Sequence, residues 1–360
     1  MTIDINKKVL LKGYFYALIA ALLFGLSTPI SKILLTEIDP ITLSGWSYIF
    51  SGLFLLPGLK YIKKEKYLNS KDLLKISLII IFGSILGPIF VLIGLANSSA
   101  FQASLFLNFE VVFTVLIAIL VFKEKITIKN GIGIILIIVL LFSWSINFKF
   151  FDYMTFFSVG VSLIVLGCLF WAIDNNITRT LEGKSSIMIT MIKSLCGGII
   201  TIFIAIILQI NIFLSLSQFL IVFIFGVLTF GISIACFITA LKYIGTIKAG
   251  IILALSPFIS AILSIIINQE TISLVDLIIF FLVFFGLVLI TLENPEKLHG
   301  HHFIIHAHSI SKEDVHHKDI KILNIEGNKI SHVHKPIKHS HSFSHDSMHE
   351  EINGEDSDNN

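Results

Sequence analysis

Charge is scarce in this chain. Lys, Arg, Asp and Glu make up 14% of it, against roughly a quarter in soluble globular proteins, and that scarcity excludes an ordinary water-soluble fold. Cysteine is nearly absent as well: Cys168, Cys196 and Cys236 fall in apolar stretches with no paired or C-x-x-C spacing. Neither a disulfide framework nor a thiolate metal site is therefore indicated, and small packed residues are expected. No histidine precedes His299, so a metal path lined by imidazoles inside the apolar region is excluded too. A phosphate-binding loop, a metal-binding helix motif and a nucleophile with a neighbouring base are all missing. An enzyme is not expected, no cofactor is required, and without an ATP-binding domain any energy must come from a gradient or a partner.

What is present is apolar. Hydrophobic residues account for 55% of the chain and its mean hydropathy is +0.90. Composition changes near Asn294 and Pro295: residues 1 to 298 hold 20 Lys and Arg against 14 Asp and Glu, whereas residues 299 to 360 hold 6 against 10 and all 13 histidines. A bilayer core of roughly 30 Å needs about 20 apolar residues in helical form, because lipid offers the backbone no hydrogen bonds. Such segments recur ten times, at 13 to 35, 40 to 59, 73 to 96, 100 to 122, 130 to 147, 156 to 178, 186 to 208, 217 to 242, 247 to 268 and 273 to 292. The first run has a basic start and no clear small-residue cleavage site, so a retained helix is expected rather than a cleaved signal. Cytoplasmic loops carry excess Lys and Arg. Lys7, Lys8 and Lys12, the lysines from Lys60 to Lys75, Lys123 to Lys129, Arg179 and Lys184, and Lys242 and Lys248 all fall on one side, against Lys149 on the other. A multi-pass protein of a bacterial inner membrane is expected, with both termini in the cytosol.

The ten segments divide into two sets of five. Phe101 to Thr127 lies on Ile247 to Ser273 at an offset of 146, pairing Ala103 with Ala249, Leu107 with Leu253 and Glu124 with Glu270. At an offset of 147, Ser27, Thr28, Ser31 and Lys32 meet Asp174, Asn175, Thr178 and Arg179, each set making a polar stripe on one helix face. Because five is odd, the second copy must cross the membrane in the reverse sense, the architecture of many secondary transporters. The expected organisation is a first repeat over 1–147, a second over 148–294 and a histidine-rich cytosolic tail over 295–360.

With helix 9 reading AGIILALSPFISAILSIIINQETIS and ten helices in two halves, residues 13 to 292 resemble the EamA branch of the drug/metabolite transporter superfamily. The segments LFWAIDNNITR (169 to 179) and ASLFLNFEVVFTVLIAILVFKEKIT (103 to 127), together with the tail, are similar to a bacterial subset of that branch. Pro257 and Glu270 keep the family pattern, whereas Glu110 and Val111 stand where a proline is common. The resemblance implies a gradient-coupled transporter of small metabolites with a cavity formed by helices 1 to 4 and 6 to 9.

Several residues are costly to place in lipid and so become candidates for binding and coupling. Glu110, near the centre of helix 4 and two residues after Asn108, reads as a protonatable group or as a carboxylate paired with Lys32 or Lys193. Lys32 could instead snorkel to the interface, and Arg179 reads as a topological anchor. Asp174, Asn175 and Asn176, with Trp171 one turn away, could bind polar groups of a substrate or tie helices together. Lys193 is a candidate for cavity lining, and Pro29 and Pro257 for hinges.

The tail repeats closely spaced histidines: His299, His301 and His302; His306 and His308; His316 and His317; His332 and His334; His339 and His341. Imidazoles at such density bind Zn, Ni or Co, so divalent metal ions are candidate partners of a largely disordered tail, with a short hairpin within Ile320 to Ile325. The leading expectation is a secondary transporter of a small organic solute, and the alternative is a divalent-metal transporter or metal-responsive protein. Lipid and a small-molecule substrate are the expected partners, nucleic acid is not, and the chain is a monomer or homodimer.

Overall fold

The computed structural model describes residues 2–61, 68–123, 127–145, 158–181 and 184–291, and in the tail 299–300, 305–309, 321–326, 329–333 and 338–339. Among the described residues nine helical spans are long and apolar enough to cross a membrane: α1 Leu10–Leu34, α2 Pro40–Tyr61, α3 Ser70–Ala96, α4 Ala100–Phe122, α6 Val159–Arg179, α7 Ser186–Ile207, α8 Leu216–Leu241, α9 Lys248–Ile267 and α10 Leu274–Thr291. The helix α5, Ile128–Ser145, supplies a tenth, shorter apolar segment. These spans fall on the ten segments read from hydropathy. Their starts follow local chemistry: Asp39, Ser99, Ser158, Ser185 and Ser215 each accept a backbone N–H of the first turn, satisfying donors that would otherwise be orphaned.

The spans pack as antiparallel pairs. Ser233 on α8 donates to the Ala20 carbonyl of α1 at 2.8 Å. Along α2 and α7, Gly45 faces Ile202 while Gly52 faces Leu195; along α3 and α6, Gly94 faces Gly160 while Gly87 faces Trp171. Ser104 of α4 meets Ser260 of α9 at 2.8 Å. Between α5 and α10, Asn130 donates to Ile290 O at 2.8 Å and Trp144 to Asp276 at 2.9 Å. In lipid, packing rather than hydrophobicity holds helices together, and small residues let the backbones approach. A Cβ added to Gly94 would sit 2.6 Å from the Gly160 carbonyl oxygen, so this crossing admits no side chain. The largest packed cluster joins α4, α5, α6, α9 and α10, with Phe106 fully buried and Phe258 edge-on to Phe280 and Phe284.

Irregularities recur at matching places. A π-helical segment interrupts α3 at Ile80–Leu86 and α8 at Val227–Ile232, and their starts keep the offset that relates Ser27 to Asp174. Turns break α4 at Leu107 and Asn108 and α9 at Ala254 and Leu255, again at that offset. Lys123 and Gln269, the residues before Glu124 and Glu270, both adopt left-handed backbone, the usual way for a helix to end.

The tail, residues 294–360, forms a separate unit. The strands β2 Ile305–Ser309, β4 Lys329–Val333 and β3 Lys321–Glu326 pair antiparallel in that order, and β1 His299–Gly300 pairs with β5 Lys338–His339. The β3–β4 pair contains the hairpin expected near Ile320 to Ile325, and β2 extends it into a small sheet beyond that expectation.

Candidate functional site

The polar residues of the membrane body converge where α4, α6 and α7 meet the π-helical part of α3. Asp174 on α6 is 3% exposed, and Lys193 of α7 reaches its Oδ2 at 2.6 Å. Thr178, one turn along α6, donates to the other carboxylate oxygen at 3.0 Å. Asn175 turns to α4 instead, donating to Glu110 Oε1 at 2.8 Å, and Asn176 donates to the carbonyls of Thr114 and Ala172. Three consecutive polar residues of α6 thus tie it to α4 and α7.

Glu110 is half-buried and is met by the amide of Asn175 rather than by a cation. The expected pairing with Lys32 or Lys193 is not what the structure shows. Lys193 belongs to Asp174, although it stays within electrostatic reach of Glu110. Lys32 points the other way, its ammonium donating to the carbonyls of Leu95, Ala96 and Ser98 at 3.0, 3.2 and 2.6 Å. Those carbonyls lie at the end of α3 and just beyond it, and a cation there also meets the negative end of the helix dipole. Three carbonyls at that terminus match the three N–H donors of the ammonium.

Above the charged cluster lies an aromatic layer. The π-helical turn leaves the Gly83 carbonyl to accept from Trp171 Nε1 at 3.1 Å and from the Tyr48 hydroxyl at 3.4 Å. Any side chain at Gly83 would collide with the Asp174 carboxylate. Beyond this layer is a cavity of about 40 Å³, walled by Ser27, Thr28 and Ser31 of α1, Ser44 and Ser47 of α2 and aromatic residues including Phe225 and Phe230. Sequence reasoning missed Tyr48, Ser44 and Ser47, though the serine spacing along α2, continued by Ser51, traces one helix face.

The remaining candidates are placed as follows. Asn108 occupies the break in α4, fully buried, with Nδ2 donating to Leu105 O and Oδ1 without a partner. Pro29 follows the turn that interrupts α1 at Leu26, and its carbonyl accepts from Asn268 at 3.1 Å. Pro257 opens the segment of α9 that follows the break. Glu270, paired with Glu124 in the repeat, accepts the backbone N–H groups of Ala100 and Phe101 at 2.6 and 2.7 Å. A concavity of about 720 Å³ beside Gln102 and Trp144 also holds Glu270 and Asp276, but both carboxylates are already engaged in helix capping and in bonds to Trp144 and Ser273.

Among the described residues no group of three or more His, Cys, Asp and Glu is placed to hold a metal. In the tail, His306 is the register partner of His332, and His299 of His339. His301, His302, His316, His317, His334 and His341 lie outside the described residues, as does Glu124.

A model of the EamA-like transporter family matches residues 11–154 and again residues 158–292. The chain belongs to that family. EamA-like chains carry the transporter designation, and this one is a multi-pass membrane protein by its spans. It is 29% identical over 279 residues to an uncharacterized transporter of Methanothermobacter thermautotrophicus, covering 73% of this chain and 81% of that one. A crystal structure shares the fold at a TM-score of 0.56 and 15% identity, over 79% of this chain and 97% of the other.

Proposed function

We propose that the chain moves a small solute across the membrane by alternating access between two inverted five-helix halves, with Glu110 as the proton-coupling group. What supports the coupling role above all is the mismatch inside the cluster: two carboxylates, Asp174 and Glu110, and one lysine paired to the first. A second ionised carboxylate without a cation is unfavourable at that depth, whereas taking up a proton, or borrowing Lys193 when the helices move, removes the conflict.

The inverted relation is supported by the packing. If the first half maps on the second, the α1–α8 contact becomes the α6–α3 contact, and the α2–α7, α4–α9 and α5–α10 contacts map on themselves. Every one of these pairs is antiparallel, as a two-fold axis in the membrane plane demands. The matched π-helical segments, helix breaks and left-handed residues point the same way. At one end of the bundle Lys184 pairs with Asp72 and Lys75 donates to Thr180 O, which fits the lysine-rich side as cytoplasmic.

Proteoliposomes containing purified protein test the coupling. Glu110→Gln should leave the protein folded and solute exchange measurable, but should abolish uptake driven by a pH gradient. Gradient-driven uptake equal to the parent's would remove Glu110 from the mechanism.

A further inference from the structure

Tyr48 and Trp171, joined at the Gly83 carbonyl, separate two layers of different chemistry. Asp174, Lys193 and Glu110 lie on one side. On the other is the small cavity, and no described side chain lining it is charged. Its polarity is hydroxylic: Ser27, Thr28 and Ser31 on α1, Ser44 and Ser47 on α2. Ser44 and Ser47 are each 1% exposed, and their hydroxyl oxygens have no hydrogen-bond partner in the protein. A helical serine can ordinarily bond a carbonyl one turn back, so two hydroxyls left unpaired on one cavity wall are poised for a ligand. The facing wall is apolar and aromatic, with Phe24, Phe225 and Phe230 in edge-on contact through Phe230.

A charged solute would find no counter-ion here and would be unfavourable in so apolar an enclosure. Lys32 follows Ser31 in sequence but is turned to the end of α3, Lys193 is held by Asp174, and Glu110 by Asn175. Resting on the transporter reading above, we infer that the cavity recognises an uncharged, hydroxyl-bearing ring, the chemistry of a nucleoside or a simple glycoside. Serine hydroxyls of α1 and α2 read the ring's own hydroxyls, and its apolar face lies on the aromatic wall. At about 40 Å³ the cavity is smaller than such a ring, so occupancy requires α1 and α2 to draw apart from α8, which links recognition to the motion of the halves.

The test is thermal stabilisation of the purified full-length chain in detergent by uridine and methyl glucoside, against glutamate and choline. At least one of the neutral rings should raise Tm, and the two charged solutes should not. In Ser44→Ala/Ser47→Ala the half-saturating concentration should rise roughly five-fold for each hydroxyl removed, the worth of one uncharged hydrogen bond. The ligand-free Tm should not fall, because an unpaired buried hydroxyl is being removed. Ser51→Ala, at a buried and likewise unpaired serine outside the cavity, should leave the response unchanged. Stabilisation by glutamate or choline alone, no response to either neutral ring, or a response indifferent to Ser44 and Ser47 would each overturn the inference. Glu110-dependent transport of a charged solute would sink this inference and spare the transporter reading; binding of a neutral ring through Ser44 and Ser47 with no transport would do the reverse.

Discussion

Glu270 shows what one side chain contributes away from the charged cluster. Its carboxylate accepts two backbone N–H groups at the start of α4, where the helix dipole also favours a negative charge. Glu270→Ala should lower stability by about 1–2 kcal/mol, within the range of a lost helix cap, and Glu270→Gln should recover part of it; thermal unfolding in detergent measures both. Its family resemblance and its match to Glu124 were visible in the sequence, but its target was not, because the capped N-terminus lies some 170 residues away in the chain. The same limit explains the misplaced partner of Glu110. A lone carboxylate and two lysines in apolar helices suggest a pair, yet which lysine reaches it depends on helix rotation. In the structure the nearer polar group on α6 is an amide.

Elements meet here through glycine and through broken helical turns. Because a Cβ on Gly94 would press on backbone rather than on a movable side chain, Gly94→Val should force α3 and α6 apart and cost about 1–3 kcal/mol. Gly250→Ala, where nothing lies within 4 Å, should be neutral or slightly stabilising, since alanine is the better helix former. A melting comparison of the two variants separates packing from propensity. Prolines were the expected helix interrupters, and Pro29 and Pro257 do sit just after breaks in α1 and α9. Pro88 likewise follows the π-helical segment of α3, but the break in α4, at Leu107 and Asn108, has no proline, and the π-helical segment of α8 carries no local signature beyond small residues such as Gly231. Tertiary packing decides these last two, so they could not be read locally.

For the molecule as a whole, inverted halves require both ends of the membrane body to face one side. Cysteines placed at residue 4 and at residue 298 in a cysteine-free variant should both be labelled only from the cytosolic side by an impermeant maleimide; labelling from opposite sides would dismantle the two-fold reading. The tail offers a second whole-chain measurement. Deleting residues 299 to 360 should spare transport and lower the zinc or nickel bound by the purified protein, and unchanged metal content would leave the histidines without that role.

Hydropathy alone determined that the chain is a bundle of about ten helices, where they begin and end, and that a compositionally distinct tail follows, because a bilayer imposes one length and one hydrogen-bonding solution on every span. The charged and amide residues in those spans were legible for the same reason: each is unfavourable in lipid and therefore stands out, whereas the serines and Tyr48 of α2 did not. Only the tertiary structure decided which of them meet. Lys193 turning to Asp174, Lys32 to the end of α3, and the serines of α2 to a cavity beyond Tyr48 all depend on how each helix is rotated and crossed, and rotation is set by the neighbours a helix packs against.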